Sequence, residues 1–275
     1  MKITISTIAF AVGFCAGTTT ATSWSNSHDK AAQIVAAIQR ADYEGDRAGM
    51  QRGYDALQSF IEDVDLASRV RYWRGFAQWR RAINGFNDAI DPKELAQNLT
   101  TAIDEFKAVL EKDPKFVDAK VGIISSLGFL LFAQRPDESG KKQIIDQILT
   151  LAKEATAMAP DNPRLIWVRG PILWNTPPER GGGQDKAIEN YQRGLEISSK
   201  IKPSEDPLEP SWGRPELMMS LAYSCAHKKM PDLDAAERYA REALAVIPYW
   251  HYTRDILLPQ ILAAKAKSTS QSGGN

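Results

Sequence analysis

Ala102 is followed by Phe106, Val109 and Pro114, at offsets of four, seven and twelve. The same spacing returns along the chain. Ala187 is followed by Tyr191 and Gly194, with Ser199 in the place of the proline; Ala236 is followed by Ala240, Ala243 and Pro248; Ile148 is followed by Ala152, Ala155 and Pro160. Offsets of four and seven fall on one stripe of an α-helix. Small residues on that stripe let a second helix approach closely, and the proline stops the helix before the next unit begins. One amphipathic helix cannot bury its own apolar face. A recurring signature of this kind therefore demands a row of packed helix pairs.

Between its ends the chain is rich in Ala, Leu, Glu, Lys, Gln and Arg, and its apolar residues recur at three and four. The pattern predicts helices over 28–43, 46–61, 64–87, 92–112, 115–134, 137–158, 162–175, 184–200, 213–228, 232–247 and 250–266. The breaks carry helix-start chemistry: Asp91-Pro92, Asp113-Pro114, Asp161-Asn162-Pro163 and Pro231-Asp232. Alternating Val/Ile/Thr runs that would mark strands are absent outside the first residues. The expected fold is all-α.

The segment MKITISTIAFAVGFCAGTTTATS has an early lysine, a short apolar run from Ile8 to Ala16 and then small residues. It has the outline of a secretory signal peptide over residues 1–23. The run is short and threonine-rich for a membrane span, and Phe14 before Cys15 is a poor lipidation context. Cleavage leaves Cys225 as the remaining cysteine, so no intrachain disulfide can form. An exported protein of this kind relies on its hydrophobic core, which fits a bacterial periplasmic or secreted domain without stable membrane insertion. The domain is expected to span 24–266, with a disordered polar tail at 267–275.

The repeated signature resembles the tetratricopeptide repeat family, helix–turn–helix units of about 34 residues. The resemblance runs over roughly 64–248, with 28–61 as a degenerate first pair. It implies an α-solenoid of about five antiparallel helix pairs with a C-terminal capping helix. The family also places a small residue in each first helix, ten after the preceding proline. Gly170 fits, Gly75 looks like another, and Ile124 does not, though Ser125 adjoins it. The spacing from Gly170 to Ala187 is 17 residues, longer than the family's usual dozen. The excess falls on WNTPPERGGGQDKAIENY.

In this family the first helix of each pair lines a concave, partner-binding groove. Registered on Gly75, the resemblance implies Tyr72, Phe76, Trp79 and Arg80 as groove residues; registered on Gly170, it implies Arg164, Trp167, Trp174 and Asn175. A groove lined by aromatics and cations suits a peptide with apolar and acidic groups. The opposing expectation is that the elongated third helix or the C-terminal helix fills the groove and turns these aromatics into core.

Other chemistry is sparse. The 34 basic and 34 acidic residues give no general attraction to nucleic acid. No G-x-S-x-G segment occurs, and His28, His227 and His251 are scattered, so no catalytic nucleophile, cofactor or metal site is expected. Cys225 and His227 are two apart on a helix and point away from each other. The cluster Arg69, Arg71, Arg74, Arg80 and Arg81 is interleaved with aromatics. Such a cluster can stack on bases or pair with acidic groups, but the neutral charge and export signal favour an amphipathic helix whose arginine stems cover apolar surface.

Arg180, Gly181, Gly182 and Gly183 can form an anion-binding loop or merely a flexible turn. They lack the Lys-Ser/Thr of a phosphate loop. A local likeness to helical-repeat components of TRAP-type transporters covers about fifteen residues here. The proline-rich stretch 203–215 should lie extended over the surface, pinned by Trp212. These readings converge on a non-catalytic exported scaffold that binds a protein or peptide partner. The alternative is a small-ligand or lipid-binding helical protein of a transport system. Nothing sets the oligomeric state.

Overall fold

The computed structural model describes residues 25–272, and the signal-peptide expectation lies outside them. The helices are α1 Asn26–Glu44, α2 Arg47–Ala56, α3 Ala67–Asn87, α4 Pro92–Lys112, α5 Val117–Gln134 and α6 Glu138–Met158. They continue with α7 Pro163–Asn175, α8 Gln184–Lys200, α9 Arg214–His227, α10 Leu233–Val246 and α11 Leu258–Ser272. Short 3₁₀ turns follow α2 and α7, and a π-turn at Tyr252–Leu257 leads into α11.

Local caps set most boundaries. The side chains of Asp46, Asp137 and Asp232 each accept from a backbone N–H three residues on. Asp91 and Asn162 cap helices whose first residue is proline. Gly45 closes α1 in the left-handed region at φ 75°. α11 runs to Ser272, past the expected end at 266, because no breaker intervenes before Gly273.

Consecutive helices pair, and alternate helices α1, α3, α5, α7 and α9 also touch, forming an inner layer behind which the even-numbered helices stand. The repeat signature supplies the knobs and holes. Phe106 on α4 is buried between Gly75 on α3 and Gly122 on α5, and a Cβ at either glycine would collide with its ring. Gly170 on α7 receives Tyr191 on α8 in the same way. The small residue of the α5 pair is thus Gly122. Ser125 instead accepts a hydrogen bond from the Trp79 indole (3.1 Å). α5 is the one described helix long and apolar enough to cross a membrane, and its apolar residues from Ala119 to Ile124 pack into the core.

The first helix reaches the α10–α11 junction. Tyr43 near the end of α1 packs edge-on against Trp250 at 5.0 Å, and Arg40 lies over the Tyr249 ring at 4.6 Å.

Candidate functional site

The eight residues expected to line a groove divide between two places. Tyr72, Phe76, Trp79 and Arg80 are buried, at 0, 1, 0 and 4% exposure. What covers them is the long α8–α9 connection. Its first residues, 201–205, are exposed, but Leu208, Pro210 and Trp212 turn inward and are buried. Trp212 sits among Phe76, Trp79 and Trp167, with ring centroids 5.7, 5.5 and 5.6 Å away. Its indole N–H donates to Tyr72 Oη (2.8 Å), and the Trp73 indole donates to the Leu208 carbonyl (2.8 Å). This stretch therefore fills the groove and does not lie extended on the surface. A proline-rich segment carrying one leucine and one tryptophan is more stable with both buried, each worth on the order of 2–3 kcal/mol.

Arg164 and Trp167 join this interior. Arg164 forms a fork with Asp118 (2.6 and 2.9 Å) and donates to the Trp212 carbonyl (3.2 Å). The Trp167 indole donates to Ser220 Oγ (2.9 Å).

Arg80 is part of a buried ionic cluster. It donates to Asp42 Oδ2 (2.8 Å) and lies 3.9 Å from Glu216 Oε1. Glu216 accepts from Tyr43 Oη and from the Gly213 backbone N–H, both at 2.8 Å. Burial raises the Glu216 pKa; Arg80 opposes the shift and Asp42 adds to it. Asp42 and Glu216 were not singled out in the sequence. Asp42 lies next to Tyr43 on the buried side of α1, and Glu216 three residues after a glycine helix start is half of a capping-box signature.

The arginine cluster is consumed internally. Arg69 pairs with Glu209, Arg71 and Arg74 with Glu105, Arg80 with Asp42, and Arg81 with Glu94. Every member of the row meets a carboxylate from another element. Cys225 is buried, and burial, with Asp232 adding to it, raises its pKa. His227 is exposed, stacked on Tyr223 at 4.1 Å. This is the setting of a packed core thiol.

Trp174 and Asn175, at the end of α7, remain accessible. Together with Gly183, Lys228, Lys229 and Met230 they line an open cleft of ≈ 460 Å³ between the α7–α8 and α9–α10 turns. The Lys229 backbone N–H donates to Gln184 Oε1 (2.8 Å), tying the two turns together. Met230 is 81% exposed at the tip of its turn. An apolar side chain inside the polar run Lys-Lys-Met-Pro-Asp was the sequence signal for this site. Among the described residues, Arg180, Lys228 and Lys229 form no ion pair.

The three glycines serve the turn. Gly181 N–H donates to the Pro178 carbonyl (2.9 Å), Gly182 to Pro177 (3.2 Å) and Gly183 to Leu173 (2.9 Å). With these donors engaged, the loop cannot cradle an anion in the manner of a phosphate loop. Gly181 and Gly183 hold φ of 82° and 110°, and a Cβ on Gly182 would strike the Thr176 carbonyl.

No protein-family model matches the chain, and no curated protein matches it. Among solved structures, TTC0263, a thermophilic TPR protein of Thermus thermophilus, superposes with a TM-score of 0.58 at 15% identity, covering 87% of this chain and 99% of that one. The HusA haemophore of Porphyromonas gingivalis superposes with a TM-score of 0.56 at 16% identity, covering 76% of this chain and 98% of that one. At these identities the likeness is one of fold. The chain has a tetratricopeptide-like helical-repeat fold.

Proposed function

We propose that this chain is a non-catalytic, exported helical-repeat scaffold that docks a protein or peptide partner, and that the accessible docking face is the cleft beside Trp174. The observation that carries this reading is the pairing of half-buried Trp174 with exposed Met230 beside Lys228 and Lys229, which form no ion pair with described residues. Accessible aromatic and thioether groups are favoured at docking patches. Two turns bonded to each other hold the patch in place, so little conformational freedom is lost on binding.

The small-ligand alternative has less support. HusA is a haemophore of similar fold, but here Trp79, Trp167 and Trp212 pack against one another at 5.5 to 6.1 Å, which leaves no ring-sized space among them. The likeness to TRAP-associated components rests on the glycine turn, whose donors are used locally.

The test is affinity capture of the mature chain from periplasmic extract, with Trp174→Ala and Met230→Ser variants of unchanged circular dichroism. A specific co-purified protein lost in both variants is the expected result. Equal recovery from all three proteins refutes the cleft as the docking face.

A further inference from the structure

The junctions α4–α5 and α6–α7 take four residues each, whereas residues 201–213 join α8 to α9. The longer segment makes a local turn: Leu208 N–H donates to Asp206 Oδ1 (2.8 Å) and Glu209 N–H to the Asp206 carbonyl (3.1 Å). Side chains of inner-layer helices hold it. His28 Nε2 on α1 lies 2.9 Å from Asp206 Oδ1, and Arg69 Nε on α3 donates to Glu209 (2.7 Å). Trp73 and Arg164 donate to its carbonyls, and Trp212 is the buried anchor. Three helices far apart in sequence thus read two carboxylates, two carbonyls, a leucine and a tryptophan. The chain link at the outer end takes no part, since residues 201–205 are exposed.

We propose that the inner groove is a peptide-binding site kept occupied by the chain's own segment, and that a partner protein gains it by presenting the same chemistry: an acidic–Pro–Leu–acidic turn with a tryptophan three residues further on. Tethering sets the threshold. A segment linked in cis acts at an effective concentration on the order of 1 mM. A free segment of equal intrinsic affinity, supplied at about 1 μM, therefore fills roughly one groove in a thousand. Only a partner that adds contacts beyond those of residues 206–212 displaces the segment, which makes the built-in occupant a specificity filter. This site is separate from the Trp174 cleft, and either proposal can fail alone.

The test uses a fluorescein-labelled synthetic peptide, Ser204 to Gly213, and its analogue with alanine in place of the tryptophan. Anisotropy is read on the full mature chain, on Asp206→Ala/Glu209→Ala, which loosens the ionic anchors, and on Leu208→Ala/Trp212→Ala, which empties the two buried positions. The expected result is binding at least tenfold tighter to the Leu208/Trp212 variant than to wild type, with the analogue failing to bind. A smaller gain, about threefold, is expected for the Asp206/Glu209 variant. If the Leu208/Trp212 variant loses its helical signal, the peptide should restore it, and failure to do so overturns the proposal. So does binding to folded variants no tighter than to wild type, or equal binding of the analogue.

Discussion

Replacing Trp212 by alanine removes the side chain on which four inner aromatics converge. Trp212 is 5% exposed, with ring neighbours at 5.5 to 5.7 Å, and its indole satisfies the hydroxyl of fully buried Tyr72. Truncating a buried tryptophan costs about 3–5 kcal/mol through lost transfer energy and the space left behind. Stranding the Tyr72 hydroxyl adds about 1 kcal/mol. The total, about 4–6 kcal/mol, is a large part of the roughly 5–15 kcal/mol that holds a typical domain folded. Urea unfolding of the mature chain, followed by far-ultraviolet circular dichroism, should show it. With a slope of about 3 kcal/mol per molar, the midpoint falls by roughly 1.3–2 M. Trp212→Phe keeps a ring in place and should lose about 1–2 kcal/mol. Trp174→Ala, at the half-exposed cleft, should lose only about 1 kcal/mol. A Trp212→Ala loss below about 2 kcal/mol, or one no larger than that of Trp174→Ala, would refute the claim that this segment is core.

Two further substitutions probe the buried charge and the glycine turn. Glu216 has its pKa raised above the ordinary 4.5 by burial, so the folded state binds its proton more tightly than the unfolded state. Stability from this group is full below the unfolded value and is lost as pH rises from about 4.5 through the folded value. Glu216→Gln should remove that downward slope; a wild-type-minus-variant difference that stays flat or rises as pH climbs above about 4.5 would contradict the assignment. Gly182→Ala drives a Cβ into the Thr176 carbonyl and should cost about 2–3 kcal/mol. Gly181→Ala meets open space and loses only what its left-handed φ imposes, about 1 kcal/mol; thermal unfolding that ranks the two in the opposite order would show that packing does not fix the turn.

The helices were legible because their signals are local. Asp91-Pro92 and Asn162-Pro163 start helices through side chains that reach only two or three residues, and the boundaries of α4 coincide with the expected 92–112. Gly170 against Tyr191 was legible because the repeat fixes both positions. Ile124 was misleading because the small residue of that pair stands two positions earlier, at Gly122. The groove was misread for a different reason. Whether Trp79 faces solvent depends on Trp212, 133 residues later, and no periodicity links the two. The arginine row needed the same non-local knowledge, since Glu209 and Asp42 lie on other elements. Trp174, expected with the groove residues, lies apart from Tyr72, Phe76 and Trp79, and its neighbour Met230 belongs to a turn of another helix pair that no sequence spacing links to it.

The meeting of α1 with Tyr249 and Trp250 changes how the molecule should come apart. A linear array loses stability one neighbour interface at a time, can fray from either end, and gains cooperativity only through adjacent units. Here Tyr43 touches both Glu216 and Trp250, and residues 206–212 bridge α1, α3 and α7. These are long-range closures, whose chain entropy must be lost before their contacts form, so folding is slowed relative to an open array of equal length. Opening α1 therefore also releases Tyr249 and Trp250 at the α10–α11 junction. Among the described residues, α1 is thereby tied to the turn before α11, and unfolding from the first helix disturbs contacts near the last.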